Sequence, residues 1–368
     1  MARIFYSLAG EGRGHATRVR AIIEELRGIH DFTVFAPAAA YELLSAAYAD
    51  SEIRVIKIPG LMFHYSHQRM DYLRTLRDAA GYLCRLTPLI RWMQTQIQEG
   101  KPDLVITDFE PSLPRAAEQC GVPYLSIDHQ HFLADCDLSR LPWGLRSSAS
   151  LMACVVRAYY RRQQETIISS FYFPPVLPHR KNVVQTGILL RPEVLRSCPE
   201  SVGHILVYLR RFVAPSILEV LNSCGRRVHI YGLGELPGNG NLRFRPVDER
   251  NFLEDLCTCD ALVSNAGNQL IGEAIYLGKP VLAIPEARNF EQFINAHFLR
   301  AERGGDWVTA RRFDLPALRR FLRETEGQPL AINRHRMNGM PAVLAAIQRN
   351  LPQVPAAEFL DSGFQKVA

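Results

Sequence analysis

Short apolar runs alternate with longer helix-patterned segments along this chain, in two successive series. In the first series Ala2–Ala9, Phe32–Ala36, Ile53–Ile58, Leu104–Thr107 and Tyr124–Ile127 read as strands. Thr17–Gly28 reads as a helix, and Met70–Glu99 has helical spacing interrupted by Pro88. Continuous apolar runs suit strands buried on both faces, and strands separated by helices imply a parallel sheet covered on both sides. Phe173–Pro178 is proline-rich and extended, and a strand-like Val183–Gln185 follows it, which sets a junction near residue 190. The second series has strands at Ile205–Leu209, Val228–Tyr231, Leu242–Phe244, Ala261–Ser264 and Val281–Ile284, with helices at Pro215–Cys224, Asn251–Cys257 and Gln269–Leu277. The expected fold is α/β: two facing, doubly wound, Rossmann-like domains over residues 1–190 and 191–345. Residues 346–368 form a tail whose helix packs back across the junction.

With 368 residues, 47% of them hydrophobic and 22% charged, the chain can fill two cores and is not disordered. No run approaches the ~18–20 apolar residues of a spanning helix, and Met1-Ala2-Arg3 leads straight into a strand, so neither membrane insertion nor a signal peptide is expected. Eight cysteines are scattered, and the closest pair, Cys257 and Cys259, lacks zinc-site spacing, so reduced thiols in a cytoplasmic protein are expected. Between Ser139 and Lys181, seven basic residues face one acid, Glu165, and this segment alone accounts for the net charge of +6. Such a concentration points to an anionic partner for one surface.

Ligands of open α/β sheets bind beyond the carboxyl ends of the strands, so the loops there carry the functional signal. Gly10-Glu11-Gly12-Arg13-Gly14-His15 follows the first strand. Its glycine spacing is neither the dinucleotide fingerprint nor a P-loop, which disfavours a nicotinamide cofactor. His15 opens the next helix, where an imidazole can act as general base. Asp108 ends the fourth strand at the same sheet edge and can orient that imidazole; the competing role for it is to cap the following helix. Asp128-His129-Gln130-His131 follows the fifth strand and is expected to line the same cleft. In the second half, Gly267, Asn268 and Gln269 open a helix after a strand, a site suited to phosphate, with Glu273 about one turn further in.

Three segments in this order, GEGRGHATR, PDLVITDFEP and SNAGNQLIGEAIYLGKPVLAIPEARNFEQFINA, resemble the GT-B nucleotide-sugar glycosyltransferases, particularly the MurG-like and UDP-glucuronosyltransferase-like group. The resemblance covers most of the chain and implies a donor site in the second domain and an acceptor site in the first. It implies that Gly267, Asn268 and Gln269 contact a diphosphate, that Glu273 binds ribose hydroxyls, and that Glu291 and Gln292 hold the donor sugar, with Asn295 buttressing their loop. The backbone around Phe244, Arg245 and Val247 would read the base, which the resemblance alone implies is uracil. Gly12, Arg13 and Gly14 would form the acceptor-side loop, with His15 as base and Asp108 orienting it. The reaction implied is inverting transfer of a hexose-type sugar from a UDP-sugar to a hydroxyl, with no metal. Arg210 and Arg211 are candidates for stabilising the diphosphate, although relatives have a Gly/Ser-rich loop there.

The acceptor is less legible. Tyr72–Met93 and Leu151–Tyr160 combine apolar residues with arginines, which suits the surface of an anionic membrane unless the apolar faces are core. If they are exposed, a lipid-linked acceptor and a peripheral enzyme on the inner face of the membrane are expected. Two further readings remain: a UDP-sugar epimerase of the same fold, and a nucleic-acid-directed glycosyltransferase or binding protein using the basic segment, for which binding would fall steeply with salt.

Overall fold

A computed structural model describes residues 1–10, 14–61, 65–66, 69–70, 72–210, 213–328 and 330–352. Gly12, Arg13 and Arg211, and the tail from residue 353, lie outside the described residues.

The first half runs β1 (Arg3–Leu8), α1 (Gly14–Leu26), β2 (Asp31–Ala36), α2 (Ala38–Ala47) and β3 (Arg54–Lys57). A two-stranded hairpin, β4 (Tyr65–Ser66) and β5 (Arg69–Met70), precedes α3 (Tyr72–Gly100), which continues through Pro88. Then come β6 (Leu104–Asp108), α4 (Ser112–Cys120), β7 (Tyr124–Asp128), α5 (Phe132–Asp135), α6 (Trp143–Tyr159), β8 (Glu165–Ser169) and β9 (Val183–Thr186). The second half runs α7 (Pro192–Arg196), β10 (His204–Tyr208), α8 (Pro215–Asn222), β11 (Arg227–Tyr231), β12 (Leu242–Arg245), α9 (Glu249–Thr258), β13 (Ala261–Ser264), α10 (Asn268–Tyr276), β14 (Val281–Ala283), α11 (Phe290–Ala301), β15 (Gly305–Trp307) and α12 (Leu315–Thr325). Two helices, α13 (Arg334–Met337) and α14 (Met340–Asn350), follow.

Two parallel sheets result, with strand orders β3-β2-β1-β6-β7-β8-β9 and β12-β11-β10-β13-β14-β15. In each the order reverses once, between β1 and β6 and between β10 and β13, and these are the switch points where α/β sheets bind ligands. The central strands are buried on both faces: β6 and β7 show no exposed residue, in keeping with their unbroken apolar sequence. The fold is two Rossmann-like domains, as expected.

Strands β8 and β15 escape the sequence reading for a shared reason. Glu165-Thr166-Ile167-Ile168-Ser169 and Gly305-Asp306-Trp307 are short and half polar, and their place is set by pairing with β7 and β14 rather than by their own pattern.

The tail helix does return. Met340, Val343, Ala346, Ile347 and Leu351 join the first domain's core beside Ile4, Val34 and Ile106. Its re-entry begins at Met340, ahead of the expected residue 346. Gly187 and Gly339 make the passage possible, since a Cβ on Gly187 would stand 2.2 Å from the Met337 carbonyl oxygen and one on Gly339 2.1 Å from that of Gly187. Arg349 then pairs with Glu165 of β8 at 2.8 Å.

Candidate active site

A cleft of about 1150 Å³ of empty volume, open mouth included, lies where the two switch points face each other. The first domain contributes Gly14, His15, Arg18, His129 and Gln130; the second contributes Arg210, Val247, Gly267–Leu270, Glu273, Glu291 and Gln292.

Helices α1 and α10 open on this cleft from opposite sides, and a Cβ on Gly14 would lie 3.9 Å from Gln269 Cβ. The first amides of a helix have no acceptor within it, and at Asn268, Gln269 and Leu270 no other protein acceptor is supplied among the described residues. Gly267 has φ −79° and its Cβ would meet only the Asn265 carbonyl oxygen at 3.8 Å. Neither glycine is therefore demanded by protein packing, and the room each leaves belongs to the cleft.

On the first-domain side, His15 Nδ1 lies 2.9 Å from Asp108 Oδ1. The helix-capping role considered for Asp108 belongs to Glu110, whose carboxylate accepts from the Ser112 and Leu113 amides at 2.8 and 3.0 Å. Between these residues Phe109 takes a left-handed φ of 58°, the kind of strained backbone that marks functional turns.

Arg18 is the residue the sequence reading missed. Its Nε and Nη2 donate to Asp108 Oδ2 and Oδ1 at 2.9 and 2.6 Å, and Nη2 also lies 3.1 Å from His15 Nδ1. Burial opposes the Arg18 charge, but the adjacent Asp108 carboxylate outweighs it and raises its pKa. His15 thus docks on a neutral Arg–Asp pair and not on a lone carboxylate. The signal was present in the spacing: Arg18 is three residues after His15, on the same helix face.

The second-domain candidates divide. Glu273 lines the cleft but is paired with Arg191, whose Nη2 donates to Oε2 at 3.0 Å, and its Oε1 accepts from Gln269 Nε2 at 3.0 Å. Asn268 spends its side chain on the first domain: Nδ2 donates to the Ser169 carbonyl, and Oδ1 accepts from Ser170 and the Phe171 amide. Gln269 Nε2 also donates to the Leu189 carbonyl at 2.9 Å. Their side chains therefore cannot reach a diphosphate as placed, and only their backbone amides remain for it. Gln292, expected to hold sugar, is likewise closed on its own loop: Oε1 accepts from the Glu286 amide at 2.7 Å and Nε2 donates to Glu286 Oε2 at 3.1 Å. Glu291, next to it, faces the cleft.

Arg210 lines the cleft, with its amide donating to Asn265 Oδ1 at 2.8 Å and Nη2 3.8 Å from Glu286 Oε2. Val247 lines the cleft too, whereas Phe244 packs against the core of the second sheet and Arg245 pairs with Asp255 at 3.0 Å. Of the four residues from Asp128, the last of β7, to His131, His129 and Gln130 line the cleft. Asp128 and His131 instead form a buried pair at 2.7 Å. Burial alone would raise the Asp128 carboxyl, but His131 and Ser126 hold it down at about 2. Burial likewise opposes the His131 charge, and Asp128 outweighs it to raise that imidazole.

Among the described residues one group has metal-ligand composition: His204, His229 and Asp255. The two rings are stacked with planes 24° apart, so their nitrogen lone pairs do not converge. Asp255 is already taken by Tyr231 at 2.6 Å and by the Arg245 guanidinium, an arrangement ill suited to a cation.

Several ties hold the halves together around the cleft. Asn295 Oδ1 accepts from Tyr172 at 2.8 Å and faces His129 Nε2 at 3.1 Å, while its Nδ2 donates to the Ala266 carbonyl at 2.9 Å. Asn295 thus ties the Ala266–Gly267 loop of its own domain to Tyr172 and His129 of the first. Tyr172 stacks on Phe298 at 4.1 Å, and Arg20 of α1 pairs with Glu249 of α9.

Solved glycosyltransferases share this architecture. MurG of Acinetobacter baumannii is 16% identical with a TM-score of 0.59, covering 95% of this chain and 100% of that one. Arabidopsis thaliana UGT89C1, complexed with UDP-L-rhamnose, is 16% identical with a TM-score of 0.66, covering 94% and 98%. CalG4, the calicheamicin glycosyltransferase, is 15% identical with a TM-score of 0.61, covering 96% and 99%. No curated protein sequence matches. Residues 2–325 match the description Glycosyl transferase family 1. The chain belongs to that family and is a glycosyltransferase of the GT-B fold.

Proposed function

We propose that this enzyme transfers a hexose-type sugar from a UDP-sugar to an acceptor hydroxyl, with inversion and without a metal. The observation that carries the reading is the pairing, across one cleft, of His15 on Asp108 with the unpaired amides that open α10. Similar structures complexed with UDP or UDP-L-rhamnose support a uridine donor.

In this reading Nδ1–H of His15 donates to Asp108, because an ionised carboxylate can only accept, and Nε2 is left bare to take a proton. The acceptor hydroxyl gives its proton to Nε2 while its oxygen bonds to the anomeric carbon. The bond from that carbon to the diphosphate oxygen breaks, and its electron pair leaves with UDP. The α10 amides and dipole, with Arg210 at the rim, meet the negative charge that develops there. Attack opposite the leaving group inverts the anomeric centre. Glu273 and Arg191 fix the nucleotide side of the cleft, Val247 borders the base, and the backbone of residues 244–247 reads it.

An acceptor held at an anionic membrane has one specific observation in its favour. Helix α6 buries Ala149, Ala153 and Val156, while Trp143 at 75% and Leu151 at 71% stand exposed, as does Arg146. No helix among the described residues is long and apolar enough to cross a membrane, so contact would be peripheral.

The test is a thermal-shift screen of nucleoside diphosphates and their sugars with EDTA present. A ligand at about 100 times its Kd stabilises by about 2.7 kcal/mol. UDP and at least one UDP-sugar should raise the melting point, and the transferred sugar should appear with inverted anomeric configuration by NMR. Retention, or response only to other nucleotides, would overturn the proposal.

A further inference from the structure

Among the described residues lining the cleft, two carry a buried acceptor that is fixed in chemical role and unused: Gln269, whose Nε2 donates to the Leu189 carbonyl and leaves Oε1 over, and His129 on the opposite wall. His129 is 1% exposed, and its Nδ1 has no hydrogen-bond partner. The role of that nitrogen follows from a chain of partners. Asn295 Nδ2 donates to the Ala266 carbonyl, which fixes the amide so that Oδ1 is the acceptor facing His129. His129 Nε2 must therefore carry the proton, and Nδ1 is a bare acceptor. Burial pushes this imidazole toward its neutral form, and the nearby Glu291 only partly opposes that. A buried acceptor without a donor is costly, and in a ligand cleft the missing donor belongs to the ligand.

We infer that His129 Nδ1 accepts a hydrogen bond from a hydroxyl of the transferred sugar, making His129 a specificity-determining residue contributed by the first domain. The inference rests on the glycosyltransferase reading of this cleft. A hydroxyl is the donor that a nucleotide sugar brings in number, whereas its diphosphate has only acceptors to offer. The sugar is favoured over the acceptor as the source because His129 faces Asn295 of α11, the helix whose first turn brings Glu291 and Gln292 to the cleft, and because the amide expected to hold that sugar, Gln292, is spent on Glu286. Gln130 adds an unpartnered Oε1 next in sequence, although nothing fixes the orientation of its amide, so the weight stays on His129. Because His129 is tied to Asn295 and through it to Ala266, the sugar would be read only when the two domains are closed on each other.

The experiment is calorimetric titration of the full-length protein with UDP and with the tightest-binding member of UDP-glucose, UDP-galactose and UDP-N-acetylglucosamine. Three proteins are compared: wild type, His129→Phe and Tyr172→Phe. Phenylalanine keeps the ring packing against Phe132 and Tyr172. Tyr172→Phe removes the other donor to Asn295 and loosens the same tie without touching Nδ1. The expected result is a UDP-sugar affinity about 5- to 20-fold weaker in His129→Phe, with UDP within about twofold of wild type, and little change in the UDP-sugar to UDP ratio in Tyr172→Phe. Equal losses for UDP and UDP-sugar, an unchanged ratio, or the same ratio change in Tyr172→Phe would overturn the inference. A loss confined to KM for the acceptor would overturn the assignment to the donor sugar. Failure of the wild type to bind either UDP or a UDP-sugar would refute the glycosyltransferase reading of the cleft, and this inference with it.

Discussion

Replacing Arg18 by methionine deletes one buried charge while keeping an unbranched, helix-compatible side chain. Asp108 is fully buried, and its closest contact with the guanidinium is 2.6 Å. At an effective dielectric of about 20, a pair of unit charges at that distance attracts by about 6 kcal/mol gross, which offsets much of the cost of taking both from water. Without Arg18, Asp108 keeps, among the described residues, only His15 as a charged or hydrogen-bonding side-chain partner. Breaking a buried pair from one side costs about 3–5 kcal/mol, or roughly 6–20 °C in Tm for a domain of this size. Urea unfolding of wild type, Arg18→Met, Asp108→Asn and the double variant would give the complete cycle. The double variant no longer buries an unpaired carboxylate and should recover at least about 2 kcal/mol of the single variant's loss. An Arg18→Met protein within about 1 kcal/mol of wild type, or a double variant no more stable than Arg18→Met, would refute the claim that Asp108 serves as one half of a neutral pair.

Gly267→Val should leave Tm within about 2 °C, because a Cβ there meets no protein atom closer than 3.8 Å, yet weaken UDP binding at least tenfold; intact binding would show that the cleft's ligand keeps away from this loop. Glu273→Ala should weaken UDP binding about tenfold or more, through loss of charged hydrogen bonds and release of Arg191, and an unchanged Kd would remove Glu273 from the nucleotide site. The Asp128–His131 pair predicts the sign of a pH effect on stability. With the Asp128 carboxyl held at about 2, its share is present above about pH 4 and lost on acidification; with His131 raised, its share is complete below about pH 6.5 and lost as pH climbs through the folded value. The interaction contributes on the order of 2 kcal/mol, so His131→Gln should flatten the alkaline limb of a stability-against-pH curve, and an unaltered limb would contradict the pairing. Trp143→Glu with Leu151→Glu should abolish co-sedimentation with phosphatidylglycerol vesicles while sparing the fold; wild-type protein that ignores such vesicles would end the membrane reading.

Much of the fold was legible because its signal is local. Buried strands such as Leu104–Asp108 and Ala261–Ser264 announce themselves as apolar runs, and their order along the chain dictates parallel sheets. The placement of His15 and Asp108 followed from the same logic, since both end or follow strands at one switch point. What did not follow was how side chains are spent. Asn268, Gln269 and Gln292 line the cleft, yet Asn268 closes on Ser169 and Gln269 on Leu189, 99 and 80 residues away where no local pattern encodes the contact, and Gln292 closes on Glu286 of its own loop. Arg191 stands at the start of the second domain, and its partner Glu273 lies 82 residues further along the chain. The basic segment resolved into separate uses: Arg180 pairs with Asp135, Arg162 with Glu118, and Arg146 stays on the exposed face of α6.

In the proposed mechanism His15, held by the Arg18–Asp108 pair, removes the acceptor's proton in a cleft whose opposite wall binds the nucleotide. Single-turnover transfer by His15→Ala, measured beside calorimetric UDP binding, tests it most directly. General-base catalysis is worth about 10²–10⁴-fold, so transfer should fall by that factor while the Kd for UDP stays within about twofold of wild type. Transfer at the wild-type rate, or a parallel loss of UDP binding, would contradict the account.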